Sequence, residues 1–293
     1  MSTQAISEWK LERIGKFSEP KPFRVTRERV AAYAEATNDE HPLHRSGELA
    51  PPVFAIVPVF DTLTPPMLAF VPGEIAMTVV HGEQDFRFHA PIVPGQTLLS
   101  RGGVVGVHGT STGVQVIVKG VTETGAGELI VEQYLTGFFR GAQLDLSAGV
   151  PLTQHRFPAR LRGSDRLAVI TQTFDPDTTE RYSRASGDQM PIHLDDQVAK
   201  SVGLPGIIVH GLCTMAYTSR AVIASACPED PTGLRRLAVR FSKTVQPSDS
   251  ITTFLWNAGT TAEGTRKIAY ETASNSGDMV IKDGLAEVRQ SPA

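Results

Sequence analysis

Asp188 and His193 are the pair in this sequence best placed to move protons to and from a water molecule. Pro191 between them favours an extended or turn conformation at Met190, so a loop carrying the aspartate can lead into a helix whose first turn carries the histidine. Both side chains could then face one water. Taken alone, such a pair also fits a turn-capping aspartate and a histidine satisfied by backbone. The residues that follow narrow the choice. From Gly211 to Ala226, Leu212, Cys213, Met215, Ala216, Tyr217, Ala221, Val222, Ile223 and Ala224 place apolar side chains on nearly every face, which requires a helix buried on all sides. If that helix begins at Gly211, its free N–H groups and the positive end of its dipole would stabilise charge building on a carbonyl oxygen, and the glycine permits close approach. His210, just before it, reads as a residue that orients the turn rather than as a proton donor.

The elements that must position these groups come in two copies. Tyr33, Asp39, Pro42 and His44 recur as Tyr182, Asp188, Pro191 and His193, each 149 residues later. A second echo links Phe86-Arg87-Phe88 with Val239-Arg240-Phe241 and Pro94-Gly95-Gln96 with Pro247-Ser248-Asp249. Two related halves therefore follow one another, joined near Leu144 to Phe157, where Gly149, Pro151 and Pro158 punctuate the pattern. Each half reads as a helical start, the Asp-to-His loop, an apolar helix and then strands, with Val114 to Lys119 and Ile268 to Thr272 rich in residues suited to sheet. The copies are not equal. The first half offers Pro51-Pro52 where the second has His210-Gly211, and Pro58, Pro65 and Pro66 interrupt its apolar stretch. Asp39 and His44 therefore read as a degenerate second site.

Bulk properties exclude several classes. A chain of 293 residues with 41% hydrophobic content can bury sizeable cores, and 28 Lys+Arg against 31 Asp+Glu, with no basic run, speaks against nucleic acid as a partner. No uninterrupted apolar stretch approaches membrane-spanning length, and Met1 to Pro20 does not read as a signal peptide, so a cytoplasmic protein without a membrane partner is expected. Cys213 and Cys227 form neither a metal-spaced pair nor a disulfide framework. His81, His89, His108 and His155 lack ligand spacing and read as ordinary strand or loop residues, so no metal is expected. Gly102-Gly103 reads as a turn.

Tyr182, Ser186-Gly187-Asp188, Pro191-Ile192-His193, Asp195, Ala199 and Gly206 to Leu212, at these spacings, resemble the MaoC-like, (R)-specific enoyl-CoA hydratase/dehydratase family of hotdog folds. The whole chain is similar to its double-hotdog members. The first half resembles the dehydratase-like domain that often precedes such a module, at Tyr33 to His44, Ala50 to Phe54 and His81 to Phe86. One departure stands out: the family's Asp-x-Asn-Pro-x-His carries Met190 in place of the Asn in the second half and His41 in the first. Water and neighbouring backbone orienting the site, an unusual substrate, and reduced activity are all compatible with that change.

The resemblance implies an α+β double hotdog, two tandem repeats in which an antiparallel sheet wraps a long central helix. Residues 1-145 would form a non-catalytic scaffold repeat and 158-293 the MaoC-like repeat with the catalytic motif. The implied activity is that of a hydro-lyase, the reversible hydration of a trans-2-enoyl thioester to a 3-hydroxyacyl thioester with R stereochemistry. Asp188 and His193 would share base and acid duties, the Gly211 N–H would polarise the thioester, and Ser219 matches a position whose hydroxyl supports the catalytic aspartate. Met190 and His210 would line the substrate. Coenzyme A enters only as part of the substrate, with no separate cofactor; an acyl-CoA or acyl-carrier-protein thioester is the expected partner, and a homodimer the compatible assembly. The rivals are a dehydratase of branched, dicarboxylic or polyketide-type thioesters and an acyl-thioester-binding protein without turnover.

Overall fold

The computed structural model describes residues 8–152 and 154–289. The first half contains β1 (Lys21–Arg24), α1 (Arg27–Ala36), α2 (Pro42–Arg45), α3 (Phe60–Phe70), β2 (Val79–Phe88), β3 (Thr97–Thr110), β4 (Gly113–Thr124), β5 (Leu129–Arg140) and the short β6 (Ser147–Gly149). The second contains β7 (Ala168–Thr173), α4 (Thr178–Ser186), α5 (Asp196–Ser201), α6 (Gly211–Ala226), β8 (Leu234–Phe241), β9 (Ser250–Thr260), β10 (Arg266–Ser274) and β11 (Met279–Val288). In each half the helix that the sequence pattern places before the Asp-to-His loop forms, as α1 or α4, with a short strand, β1 or β7, ahead of it. Strand β1 carries Pro22, which an edge strand tolerates because one side of it bonds no neighbour.

One antiparallel sheet runs through both halves in the order β1-β3-β4-β5-β2-β8-β11-β10-β9-β7, with β6 added against β3. Each half contributes a mirror of the other's order, so β2 meets β8 at the middle. In that register Asp85 pairs with Ala238 and Phe86 with Leu237. Arg236 crosses the junction with a bidentate contact to Asp85, Nε to Oδ1 and Nη2 to Oδ2 both at 2.9 Å, and a further bond to Glu287. The two hotdog repeats therefore share one sheet and one continuous apolar core, which holds Phe54, Phe70 and Phe86 beside Met215, Tyr217 and Leu237. Alternating β-branched residues such as Val114, Val116 and Val118 supply its inner face.

The helix expected from Gly211 to Ala226 forms as α6, buried from Leu212 to Ser219. Its counterpart in the first half is split. Pro52–Ile56 makes a 3₁₀ turn, and α3 begins only at Phe60, after Pro58. Pro65 and Pro66 nevertheless lie inside α3. Pro65 lacks the N–H that would reach the Asp61 carbonyl, and Lys21 Nζ donates to that carbonyl instead, at 3.4 Å. Gly102-Gly103, expected as a turn, sits within β3. A Cβ at Gly102 would lie 2.3 Å from the Thr62 carbonyl oxygen and one at Gly103 2.6 Å from that of Lys16, so the pair lets α3 and the N-terminal segment lie against the strand.

Candidate active site

Asp188 is delivered by the end of α4. Gly187 takes a left-handed conformation (φ 86°), which terminates the helix and turns the chain toward the aspartate. The loop is then locked locally: Ser183 Oγ donates to the Asp188 carbonyl at 2.6 Å, and the Asp188 N–H donates to Ser186 Oγ at 3.2 Å. The Met190 N–H donates to Asp188 Oδ1 at 3.1 Å. The Met190 side chain, which stands where the family carries an Asn amide, is 45% exposed and lies outward. His193 sits in a single 3₁₀ turn, Pro191–His193, rather than in the first turn of a longer helix.

Ring-nitrogen bookkeeping fixes what the histidines offer. His193 Nδ1 lies 2.8 Å from the Ile208 carbonyl oxygen, which can only accept, so Nδ1 carries the proton and Nε2 the lone pair. His210 Nε2 donates to the Asp188 carbonyl at 3.3 Å by the same reasoning. The two imidazoles stack with centroids 3.8 Å apart, and the Tyr182 ring packs on His210 at 4.9 Å. One donor atom each from Asp188, His193 and His210 falls within a 4.8 Å span. A water bonded to two partners at normal distances spans about 4.6 Å, so one water fits between carboxylate and imidazole.

Burial sets the protonation states. It raises the Asp188 carboxyl above its ordinary value, opposed by the Met190 N–H and by His193. It lowers His193, opposed by the bond to Ile208 and by the Asp188 charge. His210 is pushed down to about 3 by burial and by His193, against its bond to the Asp188 carbonyl. Both histidines are therefore neutral near pH 7, and His193 is poised as an acceptor.

The start of α6 supplies the third element. Thr214 is the first residue of the helix to donate inward, to the His210 carbonyl, so the N–H groups of Gly211 to Cys213 precede the intrahelical ladder. A Cβ at Gly211 would meet the Phe241 ring at 3.3 to 3.5 Å, and His81 from the first half packs edge-on against that ring at 4.8 Å. Ser219 does not take the expected role. Its hydroxyl donates to Ala216 O at 2.7 Å within the helix, and the carboxylate it was expected to support is held by Met190 N–H instead. Helical spacing puts Ser219 on a suitable side, but a serine hydroxyl can satisfy itself on its own helix. The sequence reading also missed Ser183, whose position at the end of a helix before a glycine turn was the available signal.

The first half is wired differently. His44 Nδ1 bonds Asp39 Oδ2 directly at 2.8 Å, both groups are buried, and His41 N–H holds Asp39 Oδ1 at 3.0 Å. Burial works to raise the Asp39 carboxyl, but the His44 bond and charge outweigh it and leave the group below its ordinary value. The Ala50 N–H donates to Ile92 O as the Val209 N–H donates to Val245 O, which places Pro51 and Pro52 at the positions of His210 and Gly211. Two prolines have no N–H to offer an oxyanion.

Two tandem repeats that share one antiparallel sheet define a double-hotdog architecture, and the second repeat carries an Asp–His couple beside the N-terminus of its buried helix. Residues 158–278 match the family described as "MaoC like domain", and residues 12–133 match the "FAS1-like, dehydratase domain region". The second half therefore belongs to the MaoC-like domain family, and the whole chain has the double-hotdog fold. It is 29% identical to the peroxisomal enoyl-CoA hydratase 2 of Arabidopsis thaliana over 72% of this chain and 68% of that one. It is 32% identical to the peroxisomal multifunctional enzyme type 2 of Drosophila melanogaster over 73% of this chain, spanning only 35% of that larger protein. The crystal structure of a MaoC-like dehydratase from Phytophthora capsici shares the fold, with a TM-score of 0.81, 22% identity, and coverage of 97% of this chain and 100% of that one.

Proposed function

We propose that this protein is a hydro-lyase that reversibly adds water to a trans-2-enoyl thioester, giving the 3-hydroxyacyl thioester. The observation that carries the reading is the convergence of the Asp188 carboxylate and the His193 lone pair beside the free N–H groups of α6. A water held between the two side chains attacks C3 while Asp188 and His193 take its proton. The thioester oxygen, gaining charge as the enolate forms, is met by the Gly211 N–H and the helix dipole. The proton returns to C2 from the same pair, and water addition is complete with no net proton change. Substrate carbonyl, not acyl tail, is what this end of the site grips.

Two similar proteins named as enoyl-CoA hydratase 2 and 3-hydroxyacyl-thioester dehydratase Y support the class of reaction in both directions. Base, acid and oxyanion roles are all filled by Asp188, His193 and backbone, so coenzyme A is needed only as part of the substrate. The test is hydration of crotonyl-CoA and longer 2-enoyl-CoA substrates by the wild type, with chiral analysis of the product. Absence of turnover across that panel, with acyl-CoA still bound, would overturn the enzyme reading in favour of a binding protein.

A further inference from the structure

Where the repeat symmetry maps the Asp188 site onto the first half, the molecule holds a second cavity. Leu49 to Pro52, Ala55, Phe88 and Ile92 form its first-half wall, and Thr232, Leu234 and Arg235 of the second half close it. Its solvent space is about 50 Å³, more than one water requires. His44 lines this cavity, and because its Nδ1 is tied to Asp39, Nε2 is the nitrogen it has to offer. That Nε2 is buried and has no hydrogen-bond partner. A carboxylate accepts, so Nδ1 carries a proton, and Nε2 is the nitrogen left for a ligand that can hydrogen-bond there. Buried polar atoms in this state call for a ligand or an ordered solvent molecule.

We propose that the first repeat holds a second acyl-thioester site, which binds a hydroxyl-bearing acyl group without hydrating or dehydrating it. The inference rests on the hydro-lyase reading, which supplies the ligand class. The apolar wall suits an acyl chain, and Arg235, whose Nη1 donates to the His89 carbonyl, puts a cation at the rim where a phosphate-bearing carrier would be met. His44 Nε2 needs a hydrogen-bond partner. The C2–C3 unit of a 2-enoyl group offers none, whereas a 3-hydroxyacyl group has a hydroxyl that can donate or accept. Turnover fails here for a separate reason: Pro52 has no N–H at the position of Gly211, and the Asp39 carboxylate is spent on His44 rather than on water. The site thus senses the product of its neighbour.

The test counts ligands on the whole chain in the Asp188→Asn background, where the two thioesters cannot interconvert. Calorimetric titration with (R)-3-hydroxybutyryl-CoA is expected to give two molecules per chain, with crotonyl-CoA filling the second site roughly 3- to 10-fold more weakly for want of one hydrogen bond. His44→Phe is expected to reduce hydroxybutyryl-CoA to one per chain. Arg235→Ala, at a half-buried rim position, is expected to weaken the second site alone, which keeps the proposal testable if the His44 variant does not fold. One molecule per chain for both thioesters, or two that persist in the His44 and Arg235 variants, overturns the proposal. Binding of neither thioester overturns the hydro-lyase reading as well.

Discussion

The hydroxyls of Tyr33 and Tyr182 lie 3.4 Å apart in the core, each being the other's counterpart in the repeat. Their rings are tilted, with centroids 5.7 Å apart; Tyr33 also packs on Phe54 and Tyr182 on His210. The contact joins α1 and α4, the helices that precede Asp39 and Asp188. Tyr33→Phe leaves a buried hydroxyl on Tyr182 without this partner and is expected to cost about 1 to 3 kcal/mol, whereas Tyr33→Phe with Tyr182→Phe removes both groups and should cost less than the sum. Denaturant unfolding of the single and double variants measures the difference; additive losses would show the two hydroxyls to be independent.

Asp188→Asn and His193→Ala are each expected to lower kcat for enoyl-CoA hydration by about 10²- to 10⁴-fold, the range for a positioned acid or base, with thioester binding retained. Ser219→Ala, by contrast, is expected to change kcat less than threefold, because its hydroxyl bonds Ala216 O. A large kcat loss in Ser219→Ala with unchanged stability would restore the role that the family resemblance implies for it.

The pH profile follows from burial. His193 must be neutral to accept a proton, and its folded pKa is lowered below 6.5, so the acid limb of kcat/KM should fall below pH 6.5 rather than at it. Asp188 has a raised folded pKa, which means that its ionisation costs folding free energy. That cost is absent below about pH 3.8, grows through the interval up to the folded pKa, and is complete above it. Asp188→Asn should therefore raise Tm at pH 8 and have no such effect near pH 3.5. Thermal melts at both pH values decide it.

Gly211→Ala puts a methyl group against the Phe241 ring at 3.3 Å. Overpacking of this kind costs about 1 to 3 kcal/mol and tilts the first turn of α6, so kcat/KM should drop at least tenfold. Phe241→Leu in the same chain should recover part of the loss. Steady-state kinetics on the pair separates crowding from the loss of glycine as such.

Asp85→Ala leaves Arg236 at the β2–β8 junction with only Glu287 as its charged partner and is expected to cost about 3 to 5 kcal/mol, the cost of breaking a buried pair from one side. Because the pair sits where the halves join, loss of stability should appear as one cooperative transition for the whole chain. Two separate transitions would show that the repeats fold independently.

The helix Gly211–Ala226 was legible in the sequence because its apolar residues cover every face, a pattern that only full burial satisfies. The repeat was legible because a single offset preserves Tyr, Asp, Pro and His together. The bond that holds Asp188 Oδ1 was not, since it comes from the Met190 N–H, a group that every residue type but proline has and that leaves no mark on composition. Gly102-Gly103 misled for a related reason: glycine records that something approaches closely, and the sequence does not say whether that is a turn or a helix lying across a strand. The Asp39–His44 pair was visible as a motif, but its direct bond and its unpartnered Nε2 depend on a tenth-of-a-nanometre choice of side-chain direction that spacing alone does not determine.

The pairing of β2 with β8 places both copies of the motif on a single polypeptide, and this has an evolutionary consequence. In an assembly of identical chains, any replacement at a helix start alters every site at once, so a Pro-Pro at the Gly211 position would abolish turnover throughout. With two copies encoded in tandem, one can drift while its twin stays under selection. Pro51 and Pro52 are a change of that kind. Tandem encoding thus lets one helix start lose its N–H donors while the other half of the same chain keeps them.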